Sequence, residues 1–88
     1  MKPIVFSRQF KKSYASRIAK NIKLKQQYGR RYLLFVSGKH GNPLNDHPLT
    51  GKLVGKRAFS VSGDVRVIYE ELEDIIIFID IGTHNQVY

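Results

Sequence analysis

Three histidines, His40, His47 and His84, stand among arginines, lysines and tyrosines in a chain of 88 residues that has no cysteine. Their spacing fits no metal-ligand pattern, no Gly-rich phosphate loop accompanies them, and no carboxylates are paired at the spacing of a hydrolytic acid and base. Neither a metal site nor a cofactor is expected, and the lack of cysteine excludes thiol catalysis and disulfides. What remains are the groups that metal-free RNA cleavage requires. The RNA supplies its own nucleophile. The protein must take a proton from the 2′-hydroxyl, stabilise charge building on the phosphate, and protonate the leaving oxygen. General acid–base groups contribute about 10² to 10⁴ in rate, and fixed cations beside the phosphate contribute a similar amount. Histidine and arginine are therefore the candidates.

Charge points the same way. Residues 1–44 hold eleven of the fifteen Lys and Arg and no Asp or Glu, whereas the remainder holds four basic and seven acidic residues. A field polarised in this way suits a polyanion such as a phosphate backbone. Basic helices are often merely solvated, yet 44 residues without one acid exceed what solubility needs. At this length one domain, residues 1–88, with a modest core is expected, and no deep private cavity. The 42% hydrophobic and 25% charged content is that of a folded domain. Met1 to Phe10 carry no apolar signal region, and the longest apolar run, Ile75 to Ile79, is too short to span a bilayer. The basic stretch also lacks the broad apolar face of a membrane-surface helix. A soluble, cytoplasmic protein with no membrane contact is the expectation.

The elements that must position these residues follow from periodicity. Lys2 to Phe6 read as a strand, and Ser7 is placed to cap a helix in which Phe10, Tyr14 and Ile18 recur every four residues, flanked by Lys11, Lys12 and Arg17. A second helix is expected from Ile22 to Ser37, with Leu24, Tyr28, Tyr32, Phe35 and Val36 on its apolar side and Gly38 as C-cap. Gly38 to Gly55, with Pro43 and Pro48, read as a long exposed loop. Three strands complete the chain: Lys56 to Ser62, Val65 to Glu71 and Asp74 to Gly82. Keeping Phe59 and Val61 on one face with Val65, Val67 and Tyr69 requires an odd-length turn such as Ser62-Gly63-Asp64, which sets Ser60 opposite Arg66. In the last strand, burying Asp80 unpaired would cost several kcal/mol. Its even positions, Ile76, Phe78, Asp80 and Gly82, are therefore expected on the more open face. Ser60, Arg66, Asp80 and, by parity, His84 then cluster away from the helices. The fold class is α+β, in the order β-α-α-β-β-β, with helices packed on one face of a C-terminal antiparallel sheet.

Three blocks in this order, Asn45-Asp46-His47-Pro48-Leu49-Thr50-Gly51, Phe59 to Tyr69 and Ile79 to Tyr88, resemble the RelE/YafQ-like bacterial toxins. The resemblance covers essentially the whole chain, the helical half by pattern and charge alone. It implies a type II toxin that cleaves ribosome-bound messenger RNA and inhibits translation. It also implies inactivation by a cognate antitoxin in a toxin–antitoxin hetero-oligomer. By the resemblance, His84 corresponds to a catalytic histidine, Tyr88 to an aromatic that stacks on or orients RNA, and His47 to a second catalytic histidine. Asp64 corresponds to an acidic residue after the hairpin turn, and Arg66 to a phosphate-binding arginine. Ser60 stands where the YafQ pattern has a histidine, and Val65 where it has an aromatic.

Plainer readings stand beside these roles. Asp46-His47-Pro48 is also turn chemistry, Asp64 is also a turn residue, and Arg66 could pair with Asp80. Lys52 and Lys56 are expected RNA contacts. Arg57 and Ser60 are candidate RNA contacts too, although Arg57 shares the parity of Phe59, which suits a strand end or core edge. Two further function classes remain open: a non-nucleolytic ParE-like toxin acting on DNA gyrase, and a plain basic RNA-binding module.

Overall fold

In the computed structural model, which describes residues 2–88, the chain begins with β1 (Ile4–Phe6), α1 (Arg8–Ser13) and a wide π-helical turn (Tyr14–Ile18). There follow α2 (Ile22–Val36), β2 (His47–Pro48), a 3-10 turn (Gly51–Leu53), β3 (Arg57–Ser60), β4 (Val65–Glu71), β5 (Ile76–Thr83) and α3 (His84–Val87). The expected α+β order is present. Ser7 caps α1 by accepting from the Phe10 amide at 3.0 Å. Phe10 and Ile18 are buried, as an apolar stripe should be, and Phe35 of α2 is buried with them. After α2, Gly38 adopts φ +80°, and its amide and that of Lys39 return to Phe35 and Leu34 carbonyls, each at 3.0 Å. That is a Schellman cap, which favours glycine at this position.

The five strands form one sheet in the order β1-β5-β4-β3-β2. β1 runs parallel to β5 and the other pairings are antiparallel. The sheet is thus mixed at one edge, because the helices α1 and α2 return the chain across one face before the later strands form. The β3-β4 register pairs Ser60 with Arg66, as the odd-length turn requires. Rings from the helices and the sheet interlock in the core: Phe35 stacks on Phe59 at 4.9 Å between centroids, and Phe78 meets Phe6, Phe10, Tyr32, Phe35, Phe59 and Tyr69.

Two expectations need correction. Ile76 and Phe78 lie in the core and not on an open face. The cause is a β-bulge: Tyr69 pairs with Phe78 but Ile68 pairs with Asp80, so Ile79 is an extra residue and the facing of β5 reverses there. Beyond it Asp80 and Gly82 do share the face of Ile68 and Arg66, while Ile81 faces the core. The segment Gly38 to Gly55 is likewise no simple exposed loop. It contributes an edge strand, buries Leu44, and buries the Asp46 side chain to 1% exposure.

Candidate functional site

On the sheet face away from the helices an open cleft of about 450 Å³ runs between the segment after β2 and the end of β5. One wall is Arg66, His84 and Tyr88; the other is His47, Pro48, Leu49, Thr50, Lys52 and Leu53. No Asp or Glu lines it, and Arg66 and Lys52 give it side-chain positive charge suited to an anion.

The first wall depends on how β5 ends. The strand does not continue through His84: Thr83 becomes the N-cap of a single helical turn, α3, and a capping box joins Thr83 and Gln86. The Gln86 Oε1 accepts from the Thr83 amide at 2.8 Å. Residues four apart share a helical face, so His84 and Tyr88 meet, with ring centroids 4.4 Å apart and planes at 70°. Arg66, opposite Gly82 in the register, sets its guanidinium carbon 5.8 Å from the centre of the Tyr88 ring. Its Nε is buried without a hydrogen-bond partner among the described residues. A buried donor left unpaired costs about 1–3 kcal/mol, and here it belongs to a side chain that lines the open cleft.

The second wall is held by a buried polar cluster behind it. Asp46 accepts from Arg57 Nε at 3.0 Å, lies 2.6 Å from His40 Nδ1, and accepts a short hydrogen bond from the Tyr69 hydroxyl. His40 Nε2 meets the Phe35 carbonyl at 3.1 Å, so both its ring nitrogens are engaged. Burial, then the bond to Asp46, raises the Tyr69 phenol well above its usual pKa, and Arg57 offsets only part of this. Burial acts to lower the pKa of Arg57, but its bonds to Tyr69 and Asp46 outweigh that and the net direction is upward. With Asp46 anchored, His47 is presented at the cleft. Its Nδ1 lies 2.8 Å from the Asn45 carbonyl. A carbonyl can only accept, so Nδ1 carries the hydrogen and a neutral ring keeps Nε2 as an acceptor.

The structure therefore brings together five of the residues singled out from the sequence: His47, Lys52, Arg66, His84 and Tyr88. The other four lie outside the lining. Arg57 is turned to the Asp46 cluster. The Ser60 amide and carbonyl bond Leu44 and Arg31, at 2.7 and 2.8 Å, and its hydroxyl lies 3.5 Å from the Ser62 carbonyl. Asp64 accepts from the His84 amide at 3.5 Å and so acts at the start of α3. Lys56 closes the segment after β2 through its backbone, bonded to Leu49 and Leu53. The suggested Arg66–Asp80 pair is not formed; Asp80 is taken by Arg17 at 3.3 Å, because Arg17 reaches over the open edge of β5. Sequence reasoning missed α3, Arg17 and the apolar wall of Leu49 and Leu53. Thr83-x-x-Gln86 and the four-residue spacing of His84 and Tyr88 were the available signals for α3. Among the described residues no group of three His, Asp or Glu is placed to hold a metal ion, and no helix is long and apolar enough to cross a membrane.

Comparison with known proteins bears on the same constellation. The sequence profile described as "Bacterial toxin of type II toxin-antitoxin system, YafQ" matches residues 2–88. Among solved structures the chain is similar to YafQ from E. coli strain BL21(DE3), with 24% identity, a TM-score of 0.83, and 100% of this chain and 99% of that chain covered. It is similar to a chain of the E. coli DinJ-YafQ complex, with 26% identity, a TM-score of 0.81, and 100% and 99% covered. It is also similar to a metal-bound toxin from Helicobacter pylori, with 22% identity, a TM-score of 0.80 and both chains covered in full. No curated protein sequence matches it.

Proposed function

The chain belongs to the YafQ family of bacterial type II toxin–antitoxin toxins, and from this premise we propose that it is an endoribonuclease that cuts messenger RNA on the ribosome. The observation that carries the reading is the cleft itself, in which two histidines, an arginine whose Nε has no partner among the described residues and an exposed tyrosine converge without an Asp or Glu. In this reading His47 Nε2 takes the proton from the 2′-hydroxyl, since Nδ1 is held by the Asn45 carbonyl. The 2′-oxygen attacks the adjacent phosphorus, and Arg66 and Lys52 meet the charge that builds on its oxygens. His84 donates a proton to the departing 5′-oxygen. Tyr88, packed between His84 and Arg66, offers its exposed ring to a base.

An open cleft on a small domain positions a flexible substrate poorly. A ribosome that presents the message in one conformation supplies that positioning, which is worth several kcal/mol in ordered encounters. A cognate antitoxin is the expected inhibitor, as DinJ accompanies YafQ in the E. coli complex. The protein then acts in the cytoplasm.

The test is a purified translation reaction in which 5′ ends of the message are mapped by primer extension. Wild-type protein should create new ends within the translated region, and His84→Ala should create none. Intact message with arrested translation would instead indicate a non-nucleolytic inhibitor, and failure of DNA supercoiling would indicate a gyrase poison.

A further inference from the structure

The helical half touches the end of β5 through side chains rather than through strand pairing. β1 pairs with β5 only as far as Phe6 and Phe78. Beyond that point the Ser7 hydroxyl donates to the Ile79 carbonyl at 2.8 Å. Arg17 Nη1 donates to the Ile81 carbonyl at 3.0 Å and to Asp80 Oδ1 at 3.3 Å. The same Asp80 oxygen accepts from the Ile81 amide at 2.9 Å, so Arg17 and Asp80 together hold both backbone polar groups of Ile81. Arg17 extends from the π-helical turn Tyr14–Ile18, closed by the Ala19 amide on the Tyr14 carbonyl at 2.9 Å. Such wide turns are rare and concentrate at functional sites.

Gly82 is the next residue, and it is buried. A Cβ there would lie 2.6 Å from Gln86 Oε1 and 2.8 Å from Arg17 Nη1. Both side chains therefore occupy space that only glycine leaves free. Gln86 is also the residue that closes the capping box on Thr83, immediately before His84. A continuous chain of contacts thus runs from Arg17, through Asp80, Ile81 and Gly82, to the turn that carries His84.

We propose that Arg17 is a positioning residue for His84, fixing through the Asp80–Gly82 backbone and Gln86 the helical turn from which that histidine works; for catalysis this rests on His84 having the role assigned above. A salt bridge of partly exposed groups contributes little to stability by itself. Its effect lies in geometry, because a displacement of about 1 Å at a reacting group can cost about 100-fold in rate.

The experiment reads the histidine rings directly, by proton–carbon correlation spectra of the free protein, and cleavage of ribosome-engaged message separately. Arg17→Gln should shift the ring signals of His84 and leave those of His40, which is held by Asp46 and Phe35, in place. It should lower kcat about 10- to 100-fold with KM little changed, and Arg17→Lys should recover part of the loss. Gly82→Ala removes no charge but drives its methyl group into the sites of Gln86 Oε1 and Arg17 Nη1, so it should shift His84 in the same way. It answers the question should Arg17→Gln fail to fold. Unmoved His84 signals in either folded variant would overturn the proposal, whatever cleavage does. A fall in cleavage with His84 unmoved would place Arg17 on the RNA instead. Shifted His84 signals in the variants, with a wild type that itself cuts no message, would leave the positioning intact and remove the endoribonuclease reading.

Discussion

Two groups in this small protein are built from the same residue types and behave oppositely. Behind β3, His40, Arg57 and Tyr69 surround Asp46: both His40 ring nitrogens, Arg57 Nε and the Tyr69 hydroxyl are engaged by one another, by Asp46 or by the Phe35 carbonyl. In the cleft, His84, Arg66 and Tyr88 touch one another through rings and faces, no Asp or Glu joins them, and Arg66 Nε has no partner among the described residues. The difference lies in the single buried acid. Where Asp46 supplies acceptors, histidine and arginine become a structural pin. Where no acid is supplied, the same donors stay available for a ligand that brings its own negative charge. Hydrogen-bond satisfaction, rather than residue type, separates the pin from the site.

The comparison breaks most visibly if the two groups exchange consequences. Arg66→Ala, like His84→Ala, should lower cleavage of ribosome-engaged message by about 10² to 10⁴. His84→Ala should leave the urea unfolding free energy within about 0.5 kcal/mol, as is usual for an exposed residue, and Arg66→Ala, which removes an unpaired buried donor, should not lower it. Asp46→Ala should act first on stability, lowering the unfolding free energy by about 3 kcal/mol. That is the low end for a broken buried pair, because the Arg57 and His40 side chains both keep 38% exposure to water.

Smaller effects sharpen the contrast. Tyr69→Phe should cost about 1 kcal/mol in the same unfolding measurement, since Asp46 retains two other partners. The pH dependence follows from the raised Tyr69 pKa. Below the ordinary tyrosine value of 10.0 the phenol is neutral in folded and unfolded chains alike, and its contribution is complete. Above it the unfolded chain loses the proton first, so stability falls as pH rises toward the folded value. Tyr69→Phe should flatten that alkaline fall but not abolish it, because burial, then Tyr32 and Tyr14, raise Tyr28 as well. The smallest effect is expected at Lys52, where alanine should reduce the salt dependence of RNA binding by about one counterion. Lys56→Ala, outside the cleft, should not.

Much of this arrangement was legible in the sequence. The Ser7 cap, the stripe of Phe10 and Ile18, the Gly38 stop and the Ser60–Arg66 pairing each follow from local periodicity or turn length, and each is present. The facing of β5 was not legible. Ile75 to Ile79 are apolar throughout, so alternation carried no signal in which a bulge could appear, and Ile79 absorbed the extra position. The Asp46 cluster was also hidden, because its other members lie 6 to 23 residues from Asp46, which reads locally as loop chemistry. Arg17 was placed correctly beside the apolar stripe, but its reach to Asp80 spans 63 residues and depends on a π-helical turn with no sequence signature. The resemblance carried by the three sequence blocks supplied His84, Tyr88 and His47. The cleft then supplied what resemblance alone could not, the Nδ1 contact that gives His47 a free Nε2.

The central claim is that His47 and His84 drive attack by the 2′-hydroxyl of the message itself, and the chemistry of the cut ends tests it most directly. Message cleaved during translation should carry a 2′,3′-cyclic phosphate, or the 3′-phosphate it hydrolyses to, upstream of the cut and a 5′-hydroxyl downstream. Both His47→Ala and His84→Ala should suppress those ends. Fragments ending in a 3′-hydroxyl and a 5′-phosphate would mean that water, not the 2′-oxygen, attacked the phosphorus, and would contradict the account.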